Sequence, residues 1–201
     1  MPDVVILIPA AGKSSRMHGH DKLTVEIDGR PLLARAAAAA RATGAEVIVT
    51  LPAAGPHMAT RRAALAGLDV RVVQINDFQD GMSASLRAGV AIAGSAEGLM
   101  VHLPDMPELT TQDLRRVISA FASNPNRPVR GAEETGRPGH PVILPRRLFQ
   151  EISVLAGDCG AARVLQGENV LLVPLPGRHA TTDLDTEDDF KRWFSRRQDQ
   201  A

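Results

Sequence analysis

Val4-Val5-Ile6-Leu7-Ile8-Pro9-Ala10-Ala11-Gly12-Lys13-Ser14-Ser15-Arg16, with Lys22 at short range, is the stretch that decides the fold. Its opening run is apolar and mostly β-branched, without alternation. That pattern reads as a strand buried on both faces, as in a parallel sheet. The run ends in small residues and Gly12, so the backbone can turn tightly and lie close to a ligand. Three cations follow, Lys13, Arg16 and Lys22. A loop at the carboxyl end of a parallel strand that offers backbone N–H groups and cations suits phosphate. It is neither the G-x-x-x-x-G-K-[ST] pattern nor G-x-G-x-x-G. The plain alternative is a strand followed by a solvated basic loop.

Composition narrows the choices. The chain has 201 residues, 44% of them hydrophobic, which is enough for one domain with a real core. Basic and acidic residues balance at 23 each, against the basic excess of a nucleic-acid binder. Aromatics are 3% with no Tyr, which disfavours a base-stacking platform for single strands. The single cysteine, Cys159, excludes an internal disulfide and a cysteine zinc cluster. The first apolar run is too short for a membrane span, and no basic segment precedes it as in a signal peptide. A cytoplasmic protein with neither nucleic acid nor membrane as partner is expected.

Strands and helices then alternate. Strands are expected at 4–8, 23–27, 47–51, 70–75 and 99–103, and helices at 34–41, 56–65, 82–93 and 110–121. Alternation of this kind predicts an α/β fold with a mainly parallel sheet and helices on both faces. After about residue 125 the pattern changes. Strands at 127–133 and 140–144 flank a loop at 134–139, helices follow at 146–155 and 161–165, and a strand at 170–175 precedes a helix at 186–194. One domain over 1–201 is expected, with a nucleotide-binding half at 1–125 and an acceptor-binding half at 126–201.

Five further segments carry chemistry. In His102-Leu103-Pro104-Asp105-Met106-Pro107, Asp105 follows an apolar strand, at the sheet edge where open α/β folds bind ligands. A carboxylate there suits Mg²⁺ bridging phosphates, or simply caps the next turn. Asp77-Phe78-Gln79-Asp80-Gly81-Met82-Ser83-Ala84-Ser85 opens a helix whose N–H groups face a base or ribose, with Ser85 a simple cap. Gly136-Arg137-Pro138-Gly139-His140-Pro141 is a shaped loop around one histidine. In Gly157-Asp158-Cys159-Gly160-Ala161, Asp158 suits a helix cap, and no base near Cys159 marks it as a nucleophile. In Asp183-Leu184-Asp185-Thr186, Asp183 can join Asp105 at a metal, while Asp185 suits the cap of the last helix.

In this order, these segments resemble the molybdenum cofactor cytidylyltransferase branch of the molybdopterin nucleotidyltransferase family, the MobA-like NTP transferases, over about residues 4–190. Ala10-Ala11-Gly12, Gly81-Met82-Ser83, Gly139-His140-Pro141 and Gly157-Asp158-x-Gly160-Ala161 carry the likeness. The resemblance implies a Rossmann-like three-layer α/β/α sandwich of the nucleotide-diphospho-sugar transferase type. It implies transfer of CMP from CTP to the terminal phosphate of molybdopterin, with release of pyrophosphate. Ala10, Ala11, Gly12, Lys13, Ser14, Arg16, Lys22, Gly81 and Ser83 would bind the nucleotide. Lys22, Arg16 and Asp105 would carry the catalysis, and Asp105 and Asp183 would hold Mg²⁺. His140, Gly139 and Asp158 would face the pterin, and a molybdenum hydroxylase apoenzyme would be the onward partner. Pro9 and Pro104 depart from the family, which usually has Leu and Gly at these places; His18 and His20 enter the loop at 17–21. Three alternatives stay open: a relative using GTP or a sugar or alcohol phosphate, a non-catalytic molybdopterin-binding accessory protein, and a nicotinamide-dependent oxidoreductase.

Overall fold

The computed structural model describes residues 2–12, 20–76, 81–157 and 160–198. Its centre is β1 (Val4–Pro9), whose first five residues are all buried. β1 pairs in parallel with β4 (Val47–Pro52) on one side and with β6 (Gly98–Val101) on the other. β5 (Arg71–Ile75) extends the sheet beyond β4 in parallel. On the far side β8 (Pro138–Pro145) runs antiparallel to β6 and to β7 (Val129–Ala132), and β9 (Leu171–Pro174) closes the edge parallel to β7. The seven-stranded order is β5-β4-β1-β6-β8-β7-β9. A separate two-residue hairpin, β2 (Glu26–Ile27) and β3 (Arg30–Pro31), turns through Asp28 and Gly29, both at positive φ.

The pleat of β1 sorts its side chains onto the two faces. Val4, Ile6 and Ile8 pack on α1 (Leu32–Arg41) and α4 (Thr111–Ala122) through Leu33, Ala37, Ala40, Leu114, Val117 and Phe121. Val5 and Leu7 pack on α3 (Met82–Ala93) and α5 (Phe149–Ser153) through Leu86, Val90, Ala93 and Ile152. The result is the three-layer, mainly parallel sandwich expected. α2 (Met58–Ala64) and α6 (Ala161–Val164) are short. The last helix, α7 (Glu187–Gln198), buries Phe190 and Trp193 against Ile27, Leu32 and Leu184 in its own cluster. No helix among the described residues is long and apolar enough to cross a membrane.

Three local expectations differ. The strand expected at 23–27 begins instead as a 3-10 turn, Lys22–Thr24, capped by Asp21. The helix expected at 146–155 is a 3-10 turn, Arg146–Leu148, running into α5, with Val154 exposed beyond it. β8 is longer than expected and contains Pro138, Pro141 and Pro145 although it lies inside the sheet. Proline has no N–H to give a ladder. Here Pro138 and Pro145 sit at the strand ends, and Pro141 lies past the last β6 pair and beside the register shift with β7.

Candidate active site

β1 delivers Ala10, Ala11 and Gly12 to the carboxyl edge of the sheet. Ala10 N donates to Thr50 O at 3.0 Å, extending the ladder one residue past the strand. Ala10 and Ala11 are buried, whereas Gly12 is exposed and a Cβ built on it would meet nothing within 4 Å. The expected phosphate residues Lys13, Ser14 and Arg16 lie outside the described residues, as does Asp158.

Lys22 and Asp105 come together. Lys22 Nζ donates to Asp105 Oδ2 at 2.6 Å and to Asp185 Oδ1 at 2.6 Å. The Lys22 and Asp105 side chains keep only 17% and 15% exposure, so this is no solvated surface pair. Leu184 N donates to Asp105 O at 3.0 Å, which ties the late segment to the end of β6. Burial alone would lower the pKa of Lys22, but Asp105 and Asp185 more than offset it and the net shift is upward. Burial raises the carboxyl of Asp105; Lys22 pulls it back and Asp185 adds a further upward push.

The second carboxylate is Asp185, where Asp183 was expected. Asp183 is exposed and lines a separate hollow with Arg178, Thr181 and Arg192. The capping role expected for Asp185 falls to Thr186, whose Oγ1 accepts from Asp189 N at 3.2 Å, and the partner that reaches back from the first turn is Asp189. Its Oδ2 accepts from Thr186 N at 2.8 Å, Thr186 Oγ1 at 2.7 Å and Asp185 N at 3.2 Å. With the helix start satisfied from within, the Asp185 carboxylate is not used as the cap and accepts from Lys22.

This donor set fits a hard divalent cation. Asp105 Oδ1 is buried without a hydrogen-bond partner among the described residues, and an ammonium already lies between the two carboxylates. Mg²⁺ takes one or two carboxylates and completes its shell with phosphate and water. Among the described residues no group of three or more His, Cys, Asp or Glu side chains gathers as a metal cage.

Gly81 sits at φ 60, ψ −133, where a side chain would be strained, and it starts α3 without a side-chain cap. Ser83 is fully buried; its Oγ donates to Gly157 O at 2.6 Å and so fastens α3 to the loop before α6. Ser85, expected as a cap, instead accepts from Thr50 Oγ1 at 2.9 Å.

His140 and Gly139 lie on β8, facing the segment at 180. His140 N donates to Ala180 O at 2.8 Å, and Arg130 Nε donates to Gly139 O at 2.6 Å. A Cβ at Gly139 would stand 1.8 Å from Ala180 O, so close backbone approach explains this glycine. Burial, with the Arg130 charge and His102 beside it, pushes His140 down to about 4. His102 is fully buried; burial takes it to about 4 against a smaller upward pull from the Ala36 backbone.

One residue went unread in the sequence. Arg61 of α2 is completely buried and ion-paired with Asp21 at 2.7 Å. A signal was present, since Arg61 stands three residues after Met58 and four before Leu65, on the apolar side of its helix. Beside it an apolar hollow of about 260 Å³ opens, lined by Ala11, Gly12, Pro52, Gly55, Pro56 and His57.

Comparisons with known proteins agree with this architecture. A family model described as the MobA-like NTP transferase domain matches residues 6–173. Nicotine blue oxidoreductase of Paenarthrobacter nicotinovorans is 29% identical over 182 residues, covering 87% of each chain. The solved structure of Rv0371c from Mycobacterium tuberculosis superposes with a TM-score of 0.80 at 28% identity, over 96% of this chain and 98% of that one. A second structure of that protein is a complex with manganese, at TM-score 0.79 and 26% identity, with coverage of 96% and 98%. 4-Diphosphocytidyl-2C-methyl-D-erythritol synthase of Anaerococcus prevotii shares the fold, with a TM-score of 0.73 at 15% identity and coverage of 98% and 99%. With the family model covering most of its length, this chain belongs to the MobA-like NTP transferase domain family, a family of nucleotidyltransferases.

Proposed function

We propose that the protein transfers CMP from CTP to the terminal phosphate of molybdopterin, releasing pyrophosphate. The observation that carries the reading is Lys22 held between Asp105 and Asp185 at the sheet edge to which β1 delivers Gly12. The acceptor phosphate is already ionised. One of its oxygens attacks the α-phosphorus, the bond from that phosphorus to the bridging oxygen breaks, and the electron pair leaves with pyrophosphate. No proton has to move, so the chain's task is alignment and charge neutralisation. Lys22 supplies a fixed positive charge, and Arg16 is assigned the same task in the loop before it. Ala10, Ala11 and Gly12, with Lys13 and Ser14, cradle the triphosphate, and Gly81 lets the backbone approach the ribose. The apolar hollow beside Gly12 is assigned to the base. Asp105 and Asp185 would hold Mg²⁺ or Mn²⁺, which, when bound, supplies further charge neutralisation on the phosphates. His140 and Asp158 are assigned to the pterin side; for Ser83 the bond to Gly157 O favours shaping α3 over touching the nucleotide. The setting proposed is cytoplasmic, with a molybdenum hydroxylase apoenzyme as the receiving partner.

The preference for CTP over GTP rests on the Ala10-Ala11-Gly12 and Gly81-Met82-Ser83 forms. The test mixes protein, Mg²⁺, molybdopterin and each triphosphate, and measures pyrophosphate. Acceptor-dependent release with CTP supports the reading; equal or faster release with GTP moves the protein to the other branch. A second reading has one specific observation in its favour, the oxidoreductase name of the relative from P. nicotinovorans. Turnover of NADH or NADPH with nicotine blue, without pyrophosphate release from any triphosphate, would establish it instead.

A further inference from the structure

Arg61 is a cation with no exposed surface, and among the described residues its guanidinium reaches Asp21, Ala10 and Gly12. Nε donates to Asp21 Oδ2 at 2.7 Å and Nη2 to Asp21 Oδ1 at 2.8 Å, a side-on bidentate pair. Nη1 donates to Ala10 O at 2.7 Å and to Gly12 O at 2.7 Å. The planar guanidinium thus grips the chain just after β1 and again at Asp21, directly before Lys22. A buried charge pair is a poor source of stability, because desolvation offsets most of its attraction. What it supplies is geometry.

The consequence for the backbone follows from peptide planarity. C=O and the next N–H point in opposite directions across a trans peptide. A guanidinium that holds the Ala10 carbonyl therefore turns the Ala11 N–H away from itself. On the other side, Asp21 Oδ1 also accepts from Leu23 N at 3.2 Å, and so orients the 3-10 turn that carries Lys22.

We infer that Arg61 is a positioning residue for the nucleotide loop: from behind, it fixes the Ala10–Gly12 backbone and, through Asp21, the direction in which Lys22 points. The inference rests on the proposed reading of this edge as the triphosphate site, and it assigns the loop's geometry to α2, whose Arg61 also borders the hollow beside Gly12. Lysine cannot replace arginine here, since a single ammonium lacks the planar fork that serves a carboxylate and two carbonyls together.

The test compares wild type, Arg61→Lys and the charge-balanced double variant Asp21→Asn/Arg61→Gln, which leaves no lone buried charge. For each, KM for CTP and for molybdopterin, kcat, and amide hydrogen exchange at Ala11, Gly12, Lys22 and Leu23 are measured. Arg61→Lys should remain folded, raise KM for CTP by about tenfold or more, leave KM for molybdopterin near wild type, and speed exchange at those four amides only. A merely structural role would lower the melting temperature without that split between the two KM values. Folded variants with wild-type KM for CTP and unchanged exchange overturn the inference. If the wild type turns over no triphosphate, the proposed function fails, and exchange in the ligand-free protein still decides the positioning role. Faster exchange at the four amides supports it, and unchanged exchange refutes it.

Discussion

Asp105, Asp185 and Lys22 form one cluster, two carboxylates on a single ammonium. Asp105→Asn should remove about two orders of magnitude of rate, roughly 3 kcal/mol of transition-state stabilisation, with a weaker dependence on Mg²⁺. Single-turnover rates across a Mg²⁺ titration read this directly. Asp185→Asn should cost less, since its side chain is 31% exposed against 15% for Asp105 and solvent replaces part of what it gives. Lys22→Ala is a different case. A cation on an open loop would cost little to remove, but this one offsets a buried carboxylate. Its loss should lower stability by about 1–3 kcal/mol as well as abolishing most turnover, and urea denaturation beside the rate assay separates the two effects. Lys22 and Asp105 were legible from their places after apolar strands. The choice between Asp183 and Asp185 was not, because it turns on Thr186 and Asp189 satisfying the helix start between them in place of Asp185. Arg61 was hidden for a related reason. A charged residue in a short helix reads as solvated until its partners are known, and Asp21 lies 40 positions away.

Continuous apolar runs made the strands at the centre of the sheet legible, and the sequence offered Thr110 or Thr111 as a helix start, of which the cap is Thr110. The structure adds its reciprocal partner Asp113 in a full capping box. The second half was harder. Three prolines argued against a strand as long as β8, and only the ladder geometry shows that none of them is asked for an N–H. At this scale Gly139 is the position to probe. Gly139→Ala would drive a Cβ into Ala180 O and disturb the bond from His140 N to the same carbonyl. A loss of about 2–3 kcal/mol is expected, measured as a shift in urea midpoint at constant slope, with CTP affinity of the folded protein retained. Lost CTP affinity in a folded Gly139→Ala protein would instead place β8 on the nucleotide side.

Across the whole molecule, His102 and His140 make stability depend on pH. Both are held at about 4 in the folded state, below the usual value near 6.5 of an unfolded histidine. The unfolded chain therefore takes up these protons first. Stability should fall as pH drops from about 6.5 to about 4 and then level off for these two groups. His102, fully buried, contributes up to about 3 kcal/mol of this slope, and the partly exposed His140 less. Asp105, raised by burial, works in the opposite sense. Urea unfolding at several pH values measures the slope, and His102→Leu should flatten it. The order of the chain has a further consequence. Lys22 meets partners 83 and 163 positions later, and the second of them stands just before α7. The two carboxylates reach Lys22 from separate stretches of chain, Asp105 after β6 and Asp185 after β9. Completion of the site thus waits until Asp185 has joined the fold. A body folded without that late segment would keep Lys22 on Asp105 and lack Asp185, and α7, anchored by Trp193 Nε1 on Glu108 at 3.0 Å, is the clasp that keeps the segment in place.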